Sequence, residues 1–188
     1  MNDLILFALK EEAPHLFEYD NVFEIGVGKV NAAITTMHLI QVYNPKRIIN
    51  LGTAGGITVH SGIHRVNKFI QHDVNLQALG KAPGEHLGDS LSVITLPGEG
   101  ITCATGDFFV SERDKLRMQC DIVEMEAYSI AKSCLVKGVK FEIWKYVSDT
   151  ADESAGTEWK NSVSLGQEHY MKVLEDLSVN LIEGDLKK

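Results

Sequence analysis

The chain has 188 residues, of which 44% are hydrophobic and 23% charged, and its formal net charge is −8. These values are typical of one ordinary soluble globular domain, and the acidic balance argues against a nucleic-acid backbone or an anionic membrane as principal partner. No apolar run approaches the ~20 residues of a membrane-spanning helix, and the N-terminus lacks the features of a signal peptide. Three cysteines without close-pair spacing, Cys103, Cys120 and Cys134, predict reduced thiols in the core of a cytoplasmic protein.

Apolar runs and helical periodicity divide the chain into alternating strands and helices. We predict strands at 4–9, 22–27, 47–51, 66–70, 91–96, 101–105, 122–123 and 141–147. We predict helices at 31–43, 126–137 and 162–182. The glycine-rich segment 52–56 is expected to break the third strand. Strands that alternate with helices indicate an α/β fold with a mostly parallel sheet, in a single layered domain over residues 1–188.

Polar side chains or glycines follow four of the predicted strands. Glu11 and Glu12 follow the first strand, the segment around Thr53 follows the third, and 124–126 and 148–149 follow the last two. Because ligands of α/β sheets bind outside the carboxyl ends of the strands, these sites are expected to converge. Carboxylates at such positions suit an enzyme that holds a polar small molecule and moves a proton. An acidic first turn of a helix explains Glu11 or Glu12 alone equally well.

Three other kinds of chemistry fit the sequence poorly. Gly26 and Gly28 resemble a dinucleotide-binding loop, but Asn31 takes the place of the third glycine. His60 and His64 lie four residues apart, but a turn separates them and no glutamate follows His60, so a solvated pair is expected. No serine lies in a Gly-x-Ser-x-Gly motif. The residues therefore favour neither a nicotinamide cofactor, nor a metal, nor a nucleophilic serine.

Six short segments carry the most specific pattern in the chain: Ala8-Leu9-Lys10-Glu11-Glu12, Gly26-Val27-Gly28-Lys29-Val30-Asn31-Ala32-Ala33, Asn50-Leu51-Gly52-Thr53-Ala54-Gly55-Gly56, Gly106-Asp107-Phe108-Phe109-Val110, Val123-Glu124-Met125-Glu126-Ala127 and Val147-Ser148-Asp149-Thr150-Ala151-Asp152. In this order they resemble the nucleoside phosphorylase superfamily, specifically its methylthioadenosine/S-adenosylhomocysteine nucleosidases. The resemblance implies a single three-layer domain with a mixed, mostly parallel central sheet flanked by helices. It also implies cleavage of the N-glycosidic bond of a purine nucleoside through an oxocarbenium-like transition state.

The resemblance assigns the proton chemistry to two carboxylates. Asp149 would be the general acid at purine N7, with a pKa raised by burial, and Glu12 would hold and deprotonate the attacking water. Thr53 would support the water, and Ser148 would support Asp149. An aspartate at the acid position goes with 6-aminopurines in this family, so an adenine nucleoside is expected.

The resemblance also implies a set of substrate-binding positions. They are Thr53, Gly55, Phe109, Val110, Glu124, Met125, Glu126 and Ser148. Glu126 would bind ribose hydroxyls, with Met125 packed on the sugar. Phe109 would stack on the base, and the Val110 backbone would read its edge. The N–H groups of 52–56 could hold an anion, a water or a ribose hydroxyl.

The acidic pair Glu11-Glu12 favours hydrolysis over phosphorolysis, because a phosphorylase must bind a phosphate dianion. Two alternatives stay open: a phosphate-dependent purine or uridine nucleoside phosphorylase, and a nucleoside-binding homologue with weakened catalysis. Lys145, where the nucleosidases carry an arginine near the water, motivates the second alternative. Leu79 takes the place of an aromatic residue that covers the 5′ group from a neighbouring subunit, so the 5′ substituent stays open. The resemblance further implies a homodimer and no metal or organic cofactor.

Overall fold

The computed structural model describes residues 3–184. In this range the strands are β1 (Asp3–Phe7), β2 (Val22–Glu24), β3 (Arg47–Gly56), β4 (Ile63–Gln71), β5 (Ile94–Thr95), β6 (Ile101–Thr105), β7 (Ile122–Glu124) and β8 (Lys140–Asp149). The α-helices are α1 (Lys29–Tyr43), α2 (Ala127–Lys137), α3 (Ala155–Ser162) and α4 (Gln167–Asp176). Each predicted strand coincides with at least part of an observed one. No helix between residues 3 and 184 is long and apolar enough to cross a membrane.

The strands form one mixed sheet, which confirms the predicted α/β class. β1 lies between β2 and β3, parallel to both, and β3 runs parallel to β8 along most of its length. β6 is parallel to β4 and β7, whereas β4–β5, β4–β8 and β3–β7 are antiparallel pairs. The pairings β3–β7, β7–β6, β6–β4, β4–β8 and β8–β3 close five strands into a ring. Strand periodicity did not predict this closure, because it depends on pairings between segments far apart in the chain.

Alternate residues of β1 are buried in two separate core clusters. Leu4 and Leu6 belong to the cluster covered by α1 and α2, and Ile5 and Phe7 belong to the cluster that α4 covers with Tyr170. Burial on both faces explains why this strand is continuously apolar. The predicted core cysteines are free and buried, and burial raises the pKa of each thiol.

The prediction that segment 52–56 breaks the third strand is wrong. This segment is the second half of β3, which continues to Gly56. Residues 52–54 stay in register with residues 145–147 of β8, and an irregularity in the register follows at Gly55. The hydrogen bonds of this ladder override the low strand propensity of glycine.

The single predicted helix at 162–182 is also wrong. Two shorter helices, α3 and α4, are separated by a turn at 163–166, and α3 lies almost entirely before the predicted start. Ser178 adopts a left-handed φ of 53°, which the helical conformation excludes. Leu177 and Leu181 nevertheless pack against the core, which explains why helical periodicity extends beyond the helix.

Candidate active site

A pocket with a volume of about 200 Å³ lies where the ends of β1, β3, β7 and β8 meet. It is lined by Ala8, Leu9, Glu12, Val27, Thr53, Ala54, Gly55, Phe108, Phe109, Val110, Val123, Glu124, Met125, Glu126, Asp149 and Trp159. The predicted convergence of polar strand ends is therefore present. Of the acidic pair after β1, Glu12 is buried in the pocket wall, whereas Glu11 is exposed. The strand pattern alone did not separate these two glutamates, and only the family resemblance singled out Glu12.

Glu12 is held at both carboxylate oxygens. Oε2 accepts hydrogen bonds from the backbone N–H groups of Ala8 (3.1 Å) and Leu9 (3.2 Å). Oε1 accepts from the backbone N–H (2.7 Å) and the side-chain hydroxyl (2.9 Å) of Thr53. These four donors fix the position of an acceptor carboxylate in the pocket wall.

Two glycines of β3 provide the space that the carboxylates occupy. A Cβ atom at Gly52 would lie 2.9 Å from Glu12 Oε1, and one at Gly55 would lie 2.8 Å from Asp149 Oδ1. Both distances are shorter than real Cβ contacts, so any larger residue would displace a carboxylate. The glycine-rich motif therefore contributes to this site because its glycines leave space for the two carboxylates. A ligand contact of the Gly55 N–H stays a prediction.

Asp149 ends β8 and is 5% exposed. The Ser148 hydroxyl donates to its Oδ2 (2.9 Å), and the Ala151 N–H donates to its Oδ1 (3.0 Å). Burial raises the pKa of Asp149 above its ordinary value, even though these hydrogen bonds lower it. A raised pKa lets a carboxyl group carry a proton closer to neutral pH, as a general acid requires. Ser148 lies behind Asp149 and does not line the pocket.

Glu124 is an ion-paired carboxylate in the pocket wall. Its Oε2 lies 3.1 Å from Lys145 Nζ and accepts from the N–H groups of Glu126 and Ala127, each at 2.8 Å. Its Oε1 accepts from the Thr105 hydroxyl at 2.5 Å. Burial alone would raise the pKa of Glu124, but the ammonium group and these hydrogen bonds hold it below its ordinary value. Its negative charge at the start of α2 is also favoured by the helix dipole.

The surroundings of Glu126 shift its pKa in the opposite direction to that of Glu124. It is the N-cap residue of α2, is 5% exposed, and accepts from the Gly28 N–H at 2.8 Å. Burial and the neighbouring charge of Glu124 raise the pKa of Glu126 to about 8. A protonated Glu126 can donate as well as accept hydrogen bonds, which suits the recognition of hydroxyl groups.

The loop after β6 forms the aromatic side of the pocket. Phe109 is 48% exposed, whereas Val110 is buried. The ring of Phe108 packs edge-on against the ring of His72, with centroids 4.7 Å apart. An exposed aromatic ring in the lining of the pocket offers a surface on which a planar base can stack.

Three charged residues anchor this loop to the start of α1. Asp107 accepts from the Lys29 N–H at 2.7 Å, and its own N–H donates to Asp73 at 2.9 Å. Lys29 Nζ forms an ion pair with Asp73 at 2.7 Å. The motif that contains Asp107 therefore carries an anchor as well as the aromatic residues.

Trp159 is a pocket residue that the sequence did not reveal. It lies on α3, and its indole Nε1 donates to the Thr53 hydroxyl at 3.1 Å. The short helix had no clear apolar periodicity, so the only available signal was an aromatic residue ten positions after Asp149.

Other residues singled out in the sequence lie outside the pocket. Leu79 is 61% exposed and does not contribute to the lining of its own chain's pocket. His64 Nε2 lies 2.8 Å from the Ser61 carbonyl oxygen. Among residues 3–184, no group of three or more His, Cys, Asp or Glu is arranged to hold a metal ion.

Sequence comparison relates the chain to known proteins. Residues 21–94 match the model of the phosphorylase superfamily. The 5′-methylthioadenosine/S-adenosylhomocysteine nucleosidase of Geobacillus kaustophilus is 30% identical over an alignment of 186 positions, which covers 82% of this chain and 77% of that protein.

Two solved structures have the same fold. The Neisseria meningitidis 5′-methylthioadenosine/S-adenosylhomocysteine nucleosidase, in complex with methylthio-immucillin-A, has a TM-score of 0.83 at 23% identity and covers 94% of this chain and 98% of its own. Futalosine hydrolase of Helicobacter pylori has a TM-score of 0.85 at 21% identity, with 95% and 97% covered. These structures establish the nucleoside phosphorylase-like fold, and the sequence relationship establishes the family. The chain belongs to the 5′-methylthioadenosine/S-adenosylhomocysteine nucleosidase family of the phosphorylase superfamily.

Proposed function

We propose that the protein hydrolyses the N-glycosidic bond of an adenine nucleoside, either methylthioadenosine, S-adenosylhomocysteine or a relative, and releases the free base and a ribose derivative. The observation that carries the proposal is that two buried carboxylates, Glu12 and Asp149, line one pocket. Glu12 lies against β3 at Gly52, and Asp149 lies against the same strand three residues further on, at Gly55.

Asp149 acts on the leaving group in this proposal. It donates its proton to purine N7, so that the base departs as a neutral molecule. The raised pKa of Asp149 supports this role, and the hydrogen bond from Ser148 holds the carboxyl group in position. A general acid placed in this way accounts for roughly 10²- to 10⁴-fold of the rate.

Glu12 acts on the nucleophile. It holds a water below the anomeric carbon and accepts its proton as the water attacks the oxocarbenium-like sugar. Thr53 orients Glu12 through its backbone N–H and its hydroxyl. Lys145, paired with Glu124, reduces the negative charge buried behind this part of the pocket.

Four further residues of the pocket lining bind the substrate in this proposal. Glu126 binds the ribose hydroxyls, and Met125 packs on the sugar between the two flanking glutamates. Phe109 stacks on the base, and the backbone of Val110 reads its edge. The exposed ring of Phe109 and the raised pKa of Glu126 support these assignments.

Hydrolysis is favoured over phosphorolysis by the charges of the pocket. Its described lining contains Glu12, Glu124, Glu126 and Asp149 but neither lysine nor arginine, so a phosphate dianion finds no cation there. The test is release of adenine from methylthioadenosine with and without phosphate, followed by chromatography. Equal rates are expected. A strict requirement for phosphate would replace this proposal with a phosphorylase, and tight binding without adenine release would replace it with a binding protein.

The 5′ substituent is tested with a nucleoside panel. Methylthioadenosine, S-adenosylhomocysteine, adenosine, inosine and futalosine should be compared, because relatives of this fold carry names based on three of these compounds. We expect release of adenine to exceed release of hypoxanthine, because the second oxygen of Asp149 can accept a hydrogen bond from a 6-amino group, whereas a 6-oxo group has no proton to donate. Faster cleavage of inosine than of adenosine would overturn this assignment.

We further infer a homodimer, a single three-layer domain over residues 1–188 and a cytoplasmic location. The exposed apolar residues Val30 and Ile34 on α1, 66% and 65% exposed, support a subunit interface. Sedimentation equilibrium distinguishes the dimer from the monomer. A monomer at micromolar concentration would contradict the assembly without affecting the proposed chemistry.

A further inference from the structure

A chain of two side-chain hydrogen bonds connects α3 to the carboxylate after β1. Trp159 Nε1 lies 3.1 Å from Thr53 Oγ1, and Thr53 Oγ1 lies 2.9 Å from Glu12 Oε1. Trp159 is more than a hundred positions from Thr53 and Glu12 in the sequence, and all three line the pocket. The three hydrogen-bonded side chains therefore form part of the pocket wall.

The donor and acceptor groups of these residues determine the direction of both hydrogen bonds. An indole N–H can only donate, and a threonine hydroxyl has a single proton. When Trp159 donates to the Thr53 oxygen, the Thr53 proton is left for Glu12. Glu12 already accepts from backbone N–H groups on both oxygens, so it is placed as the final acceptor.

Without the indole N–H, the Thr53 hydroxyl could rotate away from Glu12. It could then donate to a water or to a substrate oxygen in the pocket, because Thr53 itself lines the cavity. The backbone N–H of Thr53 would still hold Oε1, so Glu12 would stay in place but lose one of its four donors. Loss of the indole N–H therefore changes the orientation of the hydroxyl rather than the shape of the site.

The helix that carries Trp159 is itself anchored beside Asp149. Glu158 accepts from the Thr150 N–H at 3.0 Å, and the Ser162 hydroxyl donates to the Ser148 carbonyl oxygen at 2.7 Å. These two contacts hold α3 to the residues before and after Asp149. The indole is thus presented by a helix that is held at its middle and at its C-terminal end.

We propose that Trp159 is a positioning residue for hydrolysis, which fixes the Thr53 hydroxyl on Glu12 and thereby orients the carboxylate that activates water. This inference rests on the proposed function, because it assigns Trp159 a part in the same reaction. It adds a residue of α3 to the groups that control the attacking water.

The experiment compares Trp159→Phe, Thr53→Val and the double variant in steady-state release of adenine from methylthioadenosine. Loss of one hydrogen bond in the chain is expected to lower kcat about tenfold, with KM changed by less than about twofold. Trp159→Phe should have little further effect in the Thr53→Val background, because the hydroxyl that it orients is already gone. Trp144→Phe is the matched control: it removes the indole N–H of the protein's other tryptophan, which lies outside the pocket and has no hydrogen-bond partner among residues 3–184. Its kcat should equal that of the unmodified protein.

Three results would overturn the inference. They are an unchanged kcat in Trp159→Phe, a rise in KM without a fall in kcat, and independent losses that multiply in the double variant. If Trp159→Phe does not fold, 3-benzothienylalanine at position 159 replaces only the N–H by sulfur, and the same tenfold loss is expected. An unmodified protein that releases no base would refute the proposed function itself, whereas an active protein indifferent to Trp159→Phe would refute only the role of Trp159.

Discussion

Lys145 and Glu124 form an ion pair in the interior, with Nζ and Oε2 3.1 Å apart and each side chain 2% exposed. Burial disfavours both charges, but the surrounding carboxylates, Glu124 first, raise the pKa of Lys145. Charge pairing therefore keeps both groups ionised where water does not reach. Lys145, which stands where the family resemblance implies an arginine, is therefore ion-paired with Glu124 at the start of α2.

Lys145→Met should destabilise the fold strongly. It leaves Glu124 buried without its cation, which costs about 3–5 kcal/mol in the free energy of unfolding. Urea unfolding at pH 7 measures the loss. The double variant Lys145→Met/Glu124→Gln should recover part of it, because no unpaired charge remains. A single variant as stable as the unmodified protein would show that the pair does not hold this region.

Glu126→Gln should alter how stability depends on pH. The native pKa of Glu126 is about 8 against an ordinary value of 4.5, so between these values the native state keeps a proton that the unfolded state has released. Stability therefore falls as pH rises through this window, by up to about 1.4 kcal/mol per pH unit.

The measurement is urea unfolding from pH 5 to pH 8 for the unmodified protein and Glu126→Gln. The unmodified protein should lose stability relative to the variant as pH rises, since glutamine does not titrate. Glu11→Gln, at an exposed position, should follow the unmodified protein. Parallel curves for Glu126→Gln and the unmodified protein would contradict the raised pKa.

Asp149→Asn should abolish the proposed acid role while preserving the pocket. Asparagine keeps the size of the side chain but cannot deliver the proton, so kcat should fall roughly 10²- to 10⁴-fold with a smaller change in KM. Asp176→Asn, at the exposed end of α4, makes the same chemical change outside the pocket and should leave kcat and KM unchanged. Retention of full turnover by Asp149→Asn would remove Asp149 from the mechanism.

Glu12→Gln and Glu11→Gln form a matched pair of adjacent substitutions. Only Glu12 lies in the pocket, so Glu12→Gln should lower kcat by about 10²-fold or more, because an amide cannot accept the proton of water. Glu11→Gln should retain normal kinetics. The comparison uses adenine release, and binding of an adenine nucleoside by calorimetry shows whether the pocket survives. Equal losses in the two variants would mean that the acidic segment acts through its charge alone.

Much of the site could be predicted because its residues follow strands that are apolar in sequence. Glu124 directly follows the apolar run 122–123, Asp149 lies two residues after the run 141–147, and the ordered motifs resemble one family. The strand pattern alone could not distinguish Glu11 from Glu12, because both follow the same strand, and only the family resemblance singled out Glu12. In the structure, hydrogen bonds from Ala8, Leu9 and Thr53 hold Glu12 in the pocket wall.

The sequence by itself determined the α/β class, the strand-end carboxylates and the family, because these depend on local periodicity and on short motifs. Only the tertiary structure decided that segment 52–56 is a strand, that Lys145 pairs with Glu124, and that Trp159 reaches Thr53. Each of these relationships joins residues distant in the chain, and its energy comes from burial and hydrogen bonds that exist only once the sheet has closed. The same closure brings together the carboxylates that the sequence could identify one by one but could not place in one pocket.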